Sequence, residues 1–156
     1  MRLRICAVGR LRAGPERALV DDYLARFDRT GRALGLGPAS VQEVEDRRGG
    51  GMAAEAALLE RAIPQGAAVV ALDERGRMIR SPAFADCLAR WRDAGRSDVA
   101  LVIGGADGLA PGLTARADLV LSFGPMVWPH MLARAMLAEQ LYRAASILAG
   151  SPYHRE

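Results

Sequence analysis

Ala67-Ala-Val-Val-Ala-Leu72 runs without a polar residue between the turn-forming Pro64-Gln65-Gly66 and the charged Asp73-Glu74-Arg75-Gly76. Successive side chains of a strand point to opposite faces, so a strand that is apolar at every position must be covered on both sides. Sheets covered on both sides are the parallel ones, whose crossovers are helices. Working outward, the same alternation continues. Residues 3–8, 40–44, 99–103 and 119–123 read as further strands. Residues 15–27, 52–63, 81–91, 113–117 and 130–148 read as helices. Pro15 suits a first helical position, with Leu19, Tyr23 and Phe27 four apart on one face. Ser81-Pro82 reads as an N-cap followed by a first helical residue, and Gly150 as a helix stop. The predicted fold class is α/β: a mainly parallel sheet flanked by helices.

At 156 residues and 16.7 kDa the chain suits a single domain, 1–156. Hydrophobic residues at 51% and charged residues at 25% fit a soluble globular protein and exclude disorder. All 21 basic residues are Arg, and the net charge is +3. Guanidinium binds phosphate bidentately and stacks on bases, so an Arg-only surface suits RNA, although coding bias would also give it. Cys6 and Cys87 have neither the number nor the spacing of a disulfide framework or zinc site and read as core thiols in a reducing cytosol. With no signal segment and no apolar run near the ~20 residues that span a bilayer, the expectation is a cytoplasmic protein with no membrane partner.

The final predicted helix is apolar on more than one side, through Met131, Leu132, Ala135, Leu137, Ala138, Leu141, Ala145 and Leu148. A surface helix shows one stripe, so a second subunit is the expected cover. Residues 31–38 and the triplet Gly49-Gly50-Gly51 read as flexible stretches.

Ligands of open α/β sheets bind beyond the carboxyl ends of the strands. Three such ends stand out: Leu72-Asp73-Glu74-Arg75-Gly76, Gly104-Gly105-Ala106-Asp107-Gly108, and Ser122-Phe123-Gly124-Pro125-Met126-Val127-Trp128. Together they could line a pocket with backbone. Singly, the Gly104 loop is more often a tight turn, and Asp73 equally a loop or capping residue. Neither GxGxxG nor GxxxxGK[ST] occurs, and HExxH and GxSxG are absent, so dinucleotide, P-loop, hydrolase and metal chemistry have no warrant. His130 stands at the mouth of the last helix with Arg134 one turn on, a pair that could equally be an N-terminal contact plus a solvated Arg. The tail Pro152-Tyr153-His154-Arg155-Glu156 crowds polar groups where a spare terminus is the default.

Taken as an ordered set, Leu72-Asp73, Ile103-Gly-Gly-x-x-Gly108-Leu109, Leu121-Ser-x-x-x-Met-x-x-Pro-His130, Glu139-Gln-x-Tyr142-Arg143-Ala and Pro152-Tyr-His-Arg resemble the large-subunit rRNA pseudouridine N3-methyltransferases, the RlmH family of the SPOUT superfamily. The resemblance spans essentially the whole chain. It implies a SPOUT-type parallel sheet flanked by helices with a C-terminal trefoil knot, an exception to the rule that chains do not knot. It also implies a homodimer and an S-adenosyl-L-methionine cofactor bound bent in the knotted loops. The implied substrate is N3 of a pseudouridine in the helix 69 loop of 23S rRNA on the assembled ribosome. Carried over, Leu72, Gly104, Gly105, Ser122, Phe123, Gly124, Pro125, Met126, Val127 and Trp128 would bind cofactor. His130, Arg134, Tyr142, Tyr153, His154 and Arg155 would be substrate and catalytic groups, with no metal. The chain departs from the family at Val127, where a Thr is common, and at Ala145, where an aromatic is common. A lost Thr contact would cost ~0.5 to 1.5 kcal/mol.

The implied chemistry is in-line attack of the imide N3 on the methyl of the sulfonium, with positioning supplying ~7 to 11 kcal/mol. His130 and His154 are both candidates for the base that takes the N3 proton, and Arg134 and Arg155 for charge stabilisation or phosphate grip. Arg10, Arg12, Arg47 and Arg48 are candidates for a ribosome-docking surface. The competing readings are a non-catalytic ribosome-associated RNA-binding protein of the same fold and a nucleotide-binding regulatory α/β domain.

Overall fold

The computed structural model describes residues 1–155, so Glu156, the last residue of the quoted tail, lies outside the described residues. Its strands β1 (Arg2–Val8), β2 (Ala39–Val44), β3 (Ala68–Arg77), β4 (Asp98–Ile103) and β5 (Leu119–Leu121) form one sheet in the order β2-β1-β4-β3-β5. Every pairing is parallel. The helices are α1 (Pro15–Gly31), α2 (Gly51–Ala62), α3 (Ser81–Asp93), α4 (Pro111–Ala115) and α5 (His130–Leu148).

Alternation along the strands divides the core in two. Leu3, Ile5, Val70, Val99 and Leu101 face a cluster completed by α1, α3 and α5. Cys6, Val8, Val69, Ala100 and Val102 face a smaller one completed by Leu59 of α2 and Leu113 of α4. Burial pushes the Cys6 thiol up to about 11, as suits an inert core residue.

Several expectations are corrected. β3 does not stop at Leu72 but runs on to Arg77, where it meets Leu121 again after a register shift. The polar 73–77 stretch hid this extension, because its side chains are solvated while its backbone still pairs. Gly76 is needed there: a Cβ would lie 2.8 Å from backbone atoms of Val120 and Leu121. β5 ends at Leu121 rather than residue 123, and α4 begins at Pro111 rather than residue 113. On α1 the buried stripe is Val20, Leu24, Phe27 and Gly31, leaving Leu19 exposed and Tyr23 half-buried.

Ser81 lies inside α3 rather than capping it, and its hydroxyl donates to Gln140 Oε1 at 2.7 Å, tying α3 to α5. The 31–38 stretch is not loose. It holds a single 3-10 turn, Arg32–Leu34, and buries Leu36, whose N–H donates to Gly31 O at 2.9 Å. The cover expected of a second subunit for α5 is supplied within the chain, since α1 and α3 both pack along it and Leu137, Ala138, Leu141 and Ala145 are fully buried.

Candidate cofactor cleft

Residues 72–75 within the extended β3, 103–109 at the end of β4 and 121–128 at the end of β5 converge on one cleft of about 450 Å³ on the carboxyl-end side of the sheet. His130 and Ala133 of α5 and Met52 of α2 complete its wall. Leu72, Gly104, Gly105, Phe123, Gly124, Met126, Val127 and Trp128 all line it. Ser122 and Pro125 do not line it. Ser122 is buried behind the third loop, where its Oγ accepts Gly124 N–H at 3.1 Å and lies 3.1 Å from Glu74 O, so it shapes the loop.

The Gly104 loop is folded onto itself. Gly108 N–H donates to Gly105 O at 3.1 Å, and Gly108 takes the left-handed φ of +78° that favours glycine. A Cβ at Gly104 would sit 2.5 Å from Gly108 backbone atoms. Glycine is therefore required at 104 by the turn's own closure, the tight turn that the sequence of this loop favours when read alone. Gly105 is different. A Cβ there would meet both carboxylate oxygens of Glu55 at 3.1 Å.

Glu55, in α2, has no hydrogen-bond or ion-pair partner among the described residues. With Asp73, Glu74 and Asp107 against Arg75, it tips the surroundings of the cleft toward negative charge. Glu55 was missed from sequence. Its signal was a carboxylate within the 3-4 spaced stripe Met52, Ala56, Leu59 and Ala62.

His130 opens α5 and stands at the seam between the cleft and β1. A Cβ on Gly9, the residue after β1, would lie 3.8 Å from its Nε2. Arg134 is neither solvated nor presented to a ligand. It is 0% exposed, with Nη1 donating to Glu43 Oε1 at 3.1 Å and Nη2 to the carbonyls of Val8 and Gly9 at 3.2 and 3.1 Å. Burial lowers its pKa against the opposing pull of Glu43. Glu43 Oε1 also accepts Leu11 N–H at 3.0 Å, so this ion pair fastens α5 to the ends of β1 and β2 and fixes the loop against His130.

The remaining predicted residues form a separate cluster. Tyr153 O–H donates to Glu139 Oε1 at 2.9 Å, and the same oxygen receives Nε and Nη2 of Arg143 at 3.0 and 2.6 Å. The Tyr142 and Tyr153 rings lie 4.6 Å apart, the Arg143 guanidinium 4.8 Å from the Tyr153 ring. Burial and then Glu139 push the Tyr153 hydroxyl well above the usual phenol range. His154 Nδ1 lies 3.4 Å from Arg143 Nη1, its Nε2 is buried without a partner among the described residues, and Arg155 is exposed. At 1.5 Å per residue, Glu139 and Tyr142 stand about 14 to 18 Å along α5 from His130. None of these tail and α5 groups lines the cleft of its own chain.

Among the described residues, no group of His, Cys, Asp and Glu could hold a metal ion, and no helix is long and apolar enough to cross a membrane.

A family model described as a predicted SPOUT methyltransferase matches residues 1–154. The chain is 72% identical over 155 residues to the ribosomal RNA large subunit methyltransferase H of Dinoroseobacter shibae, covering 99% of each. To the protein of the same name from Ruegeria pomeroyi it is 70% identical, again covering 99% of each. A solved probable methylase family protein from Haemophilus influenzae shares the fold at a TM-score of 0.53 and 15% identity, over 99% of this chain and 70% of that one.

Proposed function

This chain belongs to the SPOUT methyltransferase family, and on that premise we propose that it methylates N3 of a pseudouridine in the helix 69 loop of 23S rRNA, on the assembled ribosome, using S-adenosyl-L-methionine. The observation that carries the reading is the glycine-lined cleft that the 72–75 stretch of β3 forms with the loops after β4 and β5, with an imidazole at its edge.

The residues present fit the cofactor. Bare backbone at Gly104 and Gly105 offers polar groups, Leu72 and Phe123 offer apolar cover, and the surrounding carboxylates suit a cation. When bound, S-adenosyl-L-methionine supplies a methyl group on a positively charged sulfur. Leu72, Gly104, Gly105 and the 122–128 loop would hold it. His130 is the base candidate that stands at this cleft, and a positioned base contributes about 10² to 10⁴ in rate. Arg134 acts at one remove, by holding the Gly9 loop against His130.

The working protein in this reading is a cytoplasmic homodimer with a knotted C-terminal region. Two observations support a dimeric site: Met126 and Val127 leave the cleft mouth 70% and 83% exposed, and the Tyr153–His154 tail is tethered far from its own cleft. The tail would complete the partner's cleft, bringing Tyr142, Tyr153, His154 and Arg155 to the substrate.

Methyl incorporation from labelled cofactor into intact ribosomes, against free rRNA, tests the proposal. Transfer to intact ribosomes is expected, and none to either substrate sinks it. Deleting residues 153–156 should abolish incorporation while leaving cofactor affinity and the unfolding midpoint close to wild type. Full activity of that truncation would remove the tail from the site. Glu55→Gln should weaken S-adenosyl-L-methionine by about two- to fivefold, the worth of one partly exposed charge. Its effect on S-adenosylhomocysteine, which lacks the sulfonium charge, should be smaller. Equal calorimetric losses for the two ligands would rule out a charge role for Glu55.

A further inference from the structure

The strand register sets the loops after β1 and β2 beside the cleft. Val8 pairs with Val44 and Ala7 with Ile103, so Gly9 and Glu45 leave the sheet at one level, a single residue beyond Gly104. In the order β2-β1-β4-β3-β5 the cleft occupies the ends of the last three strands, and the β1 and β2 loops extend the same surface to the sheet's edge. These two loops carry Arg10, Arg12, Arg47 and Arg48, all exposed. His130 stands at the seam between them and the cleft.

Neither loop is loose. Leu11 is buried, its N–H donates to Glu43 Oε1 at 3.0 Å and its carbonyl accepts Arg17 Nη1 at 3.2 Å, which turns Arg10 and Arg12 outward on either side. In the second loop the Asp46 carboxylate accepts the backbone N–H groups of Arg48 and Gly50. Of the nearby carboxylates, Glu43 is paired with Arg134, while Asp46 is held by its own turn and keeps its charge against the four Arg. Glu45 remains, 3.7 Å from Arg47, with both side chains mostly in water. Among the described residues the guanidinium groups of Arg10, Arg12 and Arg48 have no acceptor.

We propose that Arg10, Arg12, Arg47 and Arg48 form a preorganised phosphate-binding face that grips the backbone of the RNA whose base enters the cleft past His130. The proposal rests on the rRNA-methyltransferase reading for its ligand. Phosphate contacts position a nucleic acid without reading its sequence, which suits a chain that selects its site by docking on folded RNA. Three guanidiniums without an acceptor and a fourth in a long, solvated ion pair stand on two loops whose backbone is already anchored, so only the side chains are ordered on binding.

The test is the affinity of the whole protein for intact bacterial ribosomes across a salt series. Each phosphate contact contributes about 0.7 to 0.9 to the slope of log affinity against log salt. The variant R10Q/R12Q/R47Q/R48Q should lose at least about tenfold in affinity near 0.1 M salt and flatten the slope by about two to four. A matched control, R29Q/R61Q/R90Q/R96Q, removes the same charge from exposed positions toward the opposite end of the sheet and should keep the wild-type slope. Parallel salt lines for wild type and the first variant, or the same flattening in the control, would overturn the proposal. Labelled-methyl transfer across a ribosome titration separates the two ideas. The first variant is expected to need at least about tenfold more ribosomes for half-maximal transfer, and an unshifted titration would overturn the proposal; absent transfer in the wild type, with the salt result intact, would sink the methyltransferase reading and leave the phosphate face standing.

Discussion

Arg134→Met is expected to lower folding stability by about 3 to 5 kcal/mol, a large share of the ~5 to 15 kcal/mol that holds a domain of this kind together. Arg134 is wholly enclosed, and its removal leaves Glu43 with one donor fewer and the carbonyls of Val8 and Gly9 without the Nη2 they share. Such acceptors lose water on folding and are not compensated by a thioether of similar length. Arg134→Lys should be nearly as damaging, because an ammonium is a point donor and cannot span a carboxylate and two carbonyls as the planar fork does. Glu43→Gln should cost less, since its side chain is 26% exposed and an amide oxygen can still accept. The measurement is the denaturant midpoint of each variant and of the double variant, whose coupling energy isolates the pair. An Arg134→Met protein that unfolds with the wild type but transfers no methyl would return this residue to the substrate-binding role the sequence suggested.

That case shows where sequence reading stopped. The apolar runs that became β3 and β4 were legible because burial on both faces leaves no room for polar residues, and α5 was legible to its first and last residue because His130 and Gly150 bracket an unbroken helical run. The two loops that meet at the cleft after β4 and β5 were legible from their glycines, given the rule that parallel strands present ligands at one end, whereas the third stretch, 72–75, belongs to β3 itself. Partners were not. Spacing put Arg134 on the face of His130 but could not show that Glu43, 91 positions away, lies beneath it. The same limit hid the hydroxyl of Ser81 on Gln140, the carboxylate of Glu55 against Gly105, and the cover of α5 by α1 and α3. Each is a contact between segments whose relative placement the topology decides, and the order β2-β1-β4-β3-β5 is not written in any local pattern.

Replacing His130 by Ala should reduce turnover by about 10² to 10⁴ while leaving cofactor affinity within a few-fold, the signature of a group used in proton transfer rather than in binding. Little structural cost is expected, because His130 is half-buried at a helix start and makes no side-chain cap. A simple loss of rate would not distinguish a base from a spacer, so added imidazole is the decisive reagent: it can enter the space left by the side chain and take the proton in its place. Partial recovery in His130→Ala, with none in His154→Ala, would put the base on α5. The converse has a definite meaning in this fold. His154 is held 3.4 Å from Arg143, at the far end of α5 from its own cleft, with its Nε2 enclosed. Within its own chain it does not reach the cleft, so it meets a substrate where a partner's cleft lies against this cluster. Wild-type turnover in His130→Ala, together with imidazole rescue of His154→Ala, would therefore assign the base to the tail and require a site shared between subunits.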